Sequence, residues 1–461
     1  MTPESQPTVD SPVCINRRTF LSLSAACSAG IAASGAYSAQ IASPGIQKPN
    51  IVVIVVDDLG YGDLSIHGCK DIATPQIDAI ANAGVRFTHG YVSCPVCSPT
   101  RAGLLTGRYQ QRFGHEFNPG PNADRSTFGL PTSEVTLANL LKSAGYATGM
   151  VGKWHLGFSE RHVPTARGFE EFYGFLGGAH SYLKLDPSSP DPIFRGTGPV
   201  EEKEHLTDAF AREASEYIKR HKDHPFFLYL TFNAVHNPLE PDPRYLEQYA
   251  DIADERRRKY AALLKGLDDA VGRVTATLRE TGLEENTLLF FISDNGGPTQ
   301  NGSTNATLRE TKGTVFEGGI RVPFFVRWKG RLAEGGVYDK PVIALDILPT
   351  AVAAANAEIP GDREYDGVNL LPYLAGTNNG YPHELLYWRF GAQSAVRSSD
   401  FKLVRRDGVE MLFNLVSDSA ERNDLSKSHP DELSTLKAAY EQWESKLIAP
   451  LWVGRTQRAR T

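Results

Sequence analysis

The sequence predicts a layered α/β domain followed by a small antiparallel β-subdomain, and three observations lead there. A continuous β-branched run, Asn50–Val56, is bounded by Pro49 and by Asp57-Asp58, so it reads as a strand buried on both faces in the middle of a sheet. Further apolar runs at 225–231, Thr287–Ser293 and 322–328 alternate with stretches of helical period, the pattern of strands layered with helices. From 385 onward the pattern changes to short strand-like pieces closed by one polar helix.

Taken in order, the chain of 461 residues is too long for one small module and short for three independent domains. Its first residues read as a targeting segment. Asn16-Arg17-Arg18-Thr19-Phe20-Leu21 precedes a weakly apolar run of Leu, Ser, Ala and Gly, and the pair of arginines resembles a twin-arginine export signal. The apolar run is too short and too rich in Ser and Gly to anchor in a bilayer. The segments 74–83 and 136–144 fit short helices, each followed by a glycine at the stop position (Gly84, Gly145), and 260–280 has long helical periodicity. Strand-like pieces at 386–389, 394–396, 402–404 and 411–414 then precede a helix at 430–447. Asn378-Asn379-Gly380-Tyr381-Pro382 is the natural joint. The expected division is a signal at 1–42, a catalytic domain at 43–380 and a C-terminal subdomain at 381–461, with no internal repeat.

Hydrophobic residues at 41% and charged residues at 22% exclude wholesale disorder and a collagen-like chain. A formal charge of −6 provides no global basic field for nucleic acid, so any anion has to be held by a local cluster. Five cysteines are too few for a disulfide scaffold, and loss of the signal would remove Cys14 and Cys27.

The chemistry begins where the first strand ends. Asp57 and Asp58 stand at its carboxyl end, the edge where ligands of open α/β sheets collect, and the run Thr287–Ser293 ends likewise in Asp294-Asn295. If the two strand ends converge, they offer three carboxylates and an amide oxygen, a hard-oxygen set for Ca²⁺ or Mg²⁺. The competing reading is that Asp at a strand end only caps the next turn. Cys94 and Cys97 form a C-x-x-C pair, which could be redox-active or bind zinc. A zinc site needs a second such pair, and only Cys69 remains.

Cys97-Ser98-Pro99-Thr100-Arg101, followed by Ala-Gly-Leu-Leu-Thr-Gly-Arg, closely resembles the modification signature of type I sulfatases, arylsulfatase-like members of the alkaline phosphatase superfamily. The resemblance continues through Asp57-Asp58-Leu59-Gly60-Tyr61-Gly62-Asp63, Gly152-Lys153-Trp154-His155-Leu156-Gly157, Ala234-Val235-His236-Asn237-Pro238, Ser293-Asp294-Asn295-Gly296, Lys312-Gly313 and Glu317-Gly318-Gly319-Ile320-Arg321-Val322-Pro323, in the family's order. Glu310-Thr311 departs from the glycines common ahead of Lys312 but leaves the lysine. The resemblance implies an alkaline-phosphatase-like sandwich: a large mixed central sheet flanked by helices, plus a small C-terminal antiparallel sheet with one helix.

It also implies a sulfuric ester hydrolase whose Cys97 is oxidised to formylglycine (3-oxoalanine) by a maturation enzyme, the hydrated aldehyde being the nucleophile. One Ca²⁺ would be held by Asp57, Asp58, Asp294, Asn295 and modified Cys97. Lys153 and Lys312 would hold the sulfate oxygens, and Arg101 would orient the nucleophile. Asp294 would take the nucleophile's proton, His236 would donate to the departing alcohol, and His155 would remove the second hydroxyl proton. His115 and His180 lie in stretches expected to border the pocket and are candidate substrate contacts, whereas His67, His89, His162, His205, His221, His224, His383 and His429 match no catalytic motif. The implied substrates are sulfated glycans or other sulfate esters met outside the cytoplasm, in the periplasm or beyond. Two alternatives stand beside this reading: a phosphomonoester or phosphonate hydrolase of the same superfamily, and a non-catalytic glycan-binding relative.

Overall fold

Every side chain of Asn50–Val56 is buried, and alternate residues enter different cores. Ile51, Val53 and Val55 join one apolar cluster, while Val52, Ile54 and Val56 join the other. A strand packed on both faces gains nothing from polar alternation, which is why its sequence reads as one unbroken apolar run. The computed structural model describes residues 48–118, 127–183, 188 and 190–453; the expected signal at 1–42 lies outside them.

In chain order the strands are β1 (Asn50–Val56), β2 (Val85–Phe87), β3 (Gly90–Tyr91), β4 (Ala147–Lys153), β5 (Glu171–Phe175), β6 (Phe194–Arg195), β7 (Gly198–Pro199), β8 (Phe226–Thr231), β9 (Thr287–Ser293), β10 (Phe324–Arg327), β11 (Gly336–Tyr338) and β12 (Val342–Ile343). Ten of them form one sheet in the order β11-β2-β10-β9-β1-β8-β4-β5-β6-β7, and β3 pairs with β12 separately. The centre, β9-β1-β8-β4-β5, is parallel, whereas β10 and the β6-β7 end are antiparallel, so the sheet is mixed. Helices Pro75–Asn82, Leu206–Arg220 and Glu255–Glu280 cover one face; Cys97–Thr106, Leu137–Ser143 and Ile347–Ala354 cover the other. Among the described residues no helix is long and apolar enough to cross a membrane.

The strands expected from apolar runs lie where the sequence puts them, β1 and β9 with the expected bounds, β8 shorter by one residue and β10 by three, and the long helix begins earlier, at Glu255. The Asp254 carboxylate accepts from the Arg257 N–H and caps it there. Strands β4 and β5 carry no such apolar signal, and packing explains why. A Cβ on Gly149 would lie 2.3 Å from the Tyr217 ring, and one on Gly152 (φ 117°) would lie 1.9 Å from the Thr231 carbonyl oxygen. The glycines that admit these neighbours dilute the β-branched pattern.

Four antiparallel strands, β13 (Leu386–Phe390), β14 (Gln393–Arg397), β15 (Phe401–Arg406) and β16 (Val409–Asn414), form the small sheet, with helix Pro430–Glu444 packed on it. Its apolar side chains, Trp388 and Trp443 among them, belong to the same cluster as Ile51 and Phe290. Lys402 on β15 ties the sheet to the segment after Lys312: its Nζ lies 2.9 Å from both Glu317 and Glu421, and all three side chains are fully buried. Removing one member of a buried ionic cluster leaves its partners uncompensated. Lys402→Met is therefore expected to lower the unfolding free energy by about 3–5 kcal/mol in urea denaturation; an unchanged midpoint would contradict this role.

Candidate active site

Parallel pairing assembles the site. Because β9, β1, β8 and β4 run side by side in one direction, the residues that follow them gather at a single sheet edge. Val56 pairs with Ser293, which brings Asp57-Asp58 beside Asp294-Asn295. Lys153 closes β4, and His236 follows β8 by a short turn. Cys97 arrives from the opposite side, as the first residue of helix Cys97–Thr106. Pro99 is tolerated in that first turn, where backbone N–H groups have no helical partner. One turn on, Arg101 falls on the same face as Cys97.

The contacts are ionic and buried. Lys153 Nζ lies 2.6 Å from Asp57 Oδ2, and both side chains are fully buried. Lys312 Nζ lies 2.5 Å from Asp58 Oδ1 and donates to Cys97 Sγ at 3.4 Å. The Cys97 thiol donates to Asp57 Oδ1 at 3.5 Å. Arg101 reaches Asp294 Oδ2 through Nε at 2.9 Å and Nη2 at 2.7 Å, and donates through Nη1 to the Lys153 carbonyl at 3.0 Å. Asn295 Nδ2 donates to Asp58 Oδ1 at 2.7 Å, while its Oδ1 is buried with no hydrogen-bond partner among the described residues. Asp57, Asp58, Cys97 and His236 each turn one potential ligand atom into a space where these atoms lie within 4.8 Å of one another.

This electrostatic setting shifts the groups in opposite directions. Burial raises the Asp57 carboxyl, but the Lys153 ammonium, with His236, Arg101 and Lys312 behind it, outweighs burial and holds it below the carboxylate range. Burial, then the Asp57 charge, pushes the Cys97 thiol up to about 12. Burial, then the Lys153 and Arg101 charges, holds His155 well below its usual value, so its imidazole is neutral. Asp58 (φ 63°) and His155 (φ 60°) both adopt the left-handed backbone that non-glycine residues avoid, and both are strapped down. The Leu59 N–H donates to Ser293 Oγ at 3.1 Å beside Asp58, and Ser98 Oγ donates to the His155 carbonyl at 2.7 Å.

Cys97, Arg101, Lys153, His155, His236, Lys312, Asp57, Asp58, Asp294 and Asn295 thus converge on one edge. His115 and His180, expected to border the pocket, are both buried and engaged with protein groups. His115 is fully buried against the start of helix Cys97–Thr106, its Nε2 2.7 Å from Ser98 Oγ and its ring edge-on to Trp452. His180 is 9% exposed, with one ring nitrogen 2.7 Å from the Ser181 carbonyl and the other 3.0 Å from that of Asp191. At these positions both brace their neighbours and offer no free ring face to a ligand. The sequence reading gave no role to Ser98, and no spacing rule could have shown that it holds the carbonyl of a residue 57 positions away.

Comparison with known proteins agrees with this geometry. Residues 49–357 match the family model Sulfatase. A steryl-sulfatase of Mus musculus is 33% identical over 430 residues, covering 75% of this chain and 68% of the relative. An N-acetylgalactosamine-6-sulfatase of Sus scrofa is 35% identical over 382 residues, covering 77% of this chain and 71% of the relative. The solved structure of Ps i-CgsB in complex with k-i-k-neocarrahexaose superposes with a TM-score of 0.85 at 35% identity, covering 90% of this chain and 96% of that one. Motif order, sheet-edge geometry and these likenesses coincide, and the chain belongs to the sulfatase family, hydrolases of sulfuric esters with the alkaline-phosphatase-like fold.

Proposed function

We propose that this enzyme hydrolyses sulfate monoesters of carbohydrates through residue 97, matured from cysteine to formylglycine, beside one Ca²⁺. The observation that carries the reading is the convergence of Lys153, Lys312 and Arg101 around Cys97 at the start of a buried helix. Three cations facing one residue, at the electropositive end of a helix, suit a group that must face a sulfate anion. The formylglycine hydrate would supply a nucleophilic oxygen that a buried, protonated thiol lacks.

Asp57, Asp58, Asp294 and Asn295 fit a hard divalent cation, since the donors are oxygens and the Asn295 carbonyl oxygen is buried without a partner. When bound, such an ion would draw charge from a sulfate oxygen. His236 completes the ring of four potential ligands, but its Nδ1 lies 2.7 Å from the Asn237 carbonyl, which assigns one proton to Nδ1, and its Nε2 stands 3.6 Å from Asp58 Oδ2. A hard ion prefers oxygen, so we assign His236, in the imidazolium form that carries a second proton on Nε2, to proton donation through Nε2 to the leaving oxygen. Lys153 and Lys312 bind the sulfate oxygens. Arg101, anchored on Asp294, orients the group at position 97, and Asp294 Oδ1, free of the guanidinium, accepts a proton there. His155, kept neutral by burial, accepts another.

The N-acetylgalactosamine named for one relative and the neocarrahexaose named for one structural neighbour support a sulfated glycan as substrate. The Arg17-Arg18 motif supports twin-arginine export, which would bring the enzyme to such polymers in the periplasm or outside the cell. A panel of defined sulfated mono- and disaccharides, scored for released sulfate beside paired 4-nitrophenyl sulfate and phosphate, tests this. Sulfate release is expected from a subset defined by sugar and position. Faster hydrolysis of the phosphate ester would favour the phosphohydrolase reading, and no turnover of any sulfate ester would favour a binding protein.

A further inference from the structure

Tyr182 lies outside every motif of the family resemblance, yet it is fully buried, and its hydroxyl is 2.8 Å from two main-chain carbonyl oxygens, those of Asn233 and His236. These two residues bound the short turn that leads from β8 to the His236 imidazole. The same turn is closed internally by the His236 N–H, which donates to the Asn233 carbonyl at 2.9 Å. The Asn233 carbonyl therefore keeps a partner without Tyr182, whereas among the described residues the phenol is the only donor to the His236 carbonyl. The tyrosine is itself held in place. Its N–H donates to Glu240 Oε2 at 2.9 Å, the Ser181 hydroxyl donates to the same oxygen at 2.6 Å, and the His205 ring stacks on the phenol at 5.2 Å with an interplanar angle of 19°.

We propose that Tyr182 is a positioning residue for the leaving-group acid: its hydroxyl bridges the two ends of the Asn233–His236 turn and so aims His236 Nε2 at the departing oxygen. The proposal rests on His236 being that acid. The His236 side chain is held loosely, being 21% exposed with one hydrogen bond from Nδ1 to the adjacent Asn237 carbonyl and a longer 3.6 Å approach of Nε2 to Asp58 Oδ2. Its aim therefore depends on where the backbone of the turn sits. Proton donation in a transition state is sensitive to displacements of about 1 Å, which can lower a rate ~10²-fold.

A positioning role predicts a selective loss. Proton donation matters most when the leaving oxygen is basic and least when it departs readily as an anion. Tyr182→Phe keeps the ring and its stack and removes only the bridging hydroxyl. The experiment measures kcat and KM on a series from 4-nitrophenyl sulfate to unsubstituted phenyl sulfate for the matured enzyme, Tyr182→Phe, His236→Ala and Ser181→Ala. Tyr182→Phe is expected to lose roughly ten- to a hundredfold in kcat on phenyl sulfate and less than about threefold on 4-nitrophenyl sulfate, with KM little changed. His236→Ala should show the same gradient, more steeply. Ser181→Ala, which loses a bond in the same loop but keeps the phenol, should show none.

A graded His236→Ala series beside a flat Tyr182→Phe series would overturn the positioning role alone. A flat His236→Ala series would overturn the acid assignment, and the positioning role with it. An equal gradient in Ser181→Ala would reduce the effect to general loosening of the loop, and the proposal would fall.

Discussion

Cys97→Ala is expected to lower turnover of sulfate esters by at least ~10⁴-fold while leaving a folded protein, because it removes the group from which the proposed nucleophile is made and leaves in place the two lysines proposed to hold sulfate. The substitution deletes one sulfur atom from a helix whose other contacts remain, so thermal unfolding should move little. Both candidate cysteines lie in the expected tryptic peptide 87–101, and one mass spectrum tests them together. After reduction and alkylation, Cys94 should carry the thiol label and position 97 should show an aldehyde that reacts with hydrazide. Cys97 is followed by Pro99 and Arg101, whereas Cys94 has Val96 and Ser98 at those offsets. Activity should scale with the converted fraction across expression hosts. Full activity in a preparation whose Cys97 is wholly alkylatable would refute the mechanism.

Chelation of divalent ions is expected to depress activity, and added Ca²⁺ to restore it, with Asp294→Asn showing a loss of ~10²–10³-fold or more that Ca²⁺ does not restore. Asparagine is the informative replacement here. Arg101 and Asp294 are both fully buried, and either replacement removes the charge opposite the guanidinium, at a cost of up to about 3–5 kcal/mol, but asparagine keeps a carbonyl oxygen to accept from Arg101 where alanine leaves none. The metal can be read apart from activity, by counting bound Ca²⁺ in the wild type and in Asn295→Ala. Zinc held between Cys94 and Cys97 would sink the assignment. The geometry already argues against it: Cys97 faces Asp57 and Lys312, while the Cys94 thiol donates to the Glu116 carbonyl at 4.0 Å.

How much of this was legible beforehand depends on how local each signal is. Strand β1 and its two aspartates could be read because complete burial demands an unbroken apolar run and a strand end demands a polar stop. Helix Cys97–Thr106 could be read as a motif for a similar reason: Cys97, Pro99 and Arg101 lie within about one turn of each other. Strands β4 and β5 were not legible, since Gly149 and Gly152 in β4 answer to Tyr217 and Thr231, and Gly174 in β5 to the Gly152 carbonyl, all distant in the chain. The expected place of His115 and His180 beside the pocket also rested on chain proximity to the motifs. Chain proximity does not say which side of a helix or loop a ring will occupy, and the His115 ring meets Ser98 at the start of helix Cys97–Thr106.

The sequence alone therefore determined the layered class, the order of the motifs and the chemical types that meet, because each is written within a turn or a strand. Only the tertiary structure decided which atoms touch: that Lys153 holds Asp57 and Lys312 holds Asp58, that Ser98 holds the strained backbone of His155, and that Tyr182 spans the turn carrying His236. Those contacts join residues brought together by parallel strand pairing and by loops folding over a sheet edge. Their energies depend on burial and on distances that no local pattern encodes.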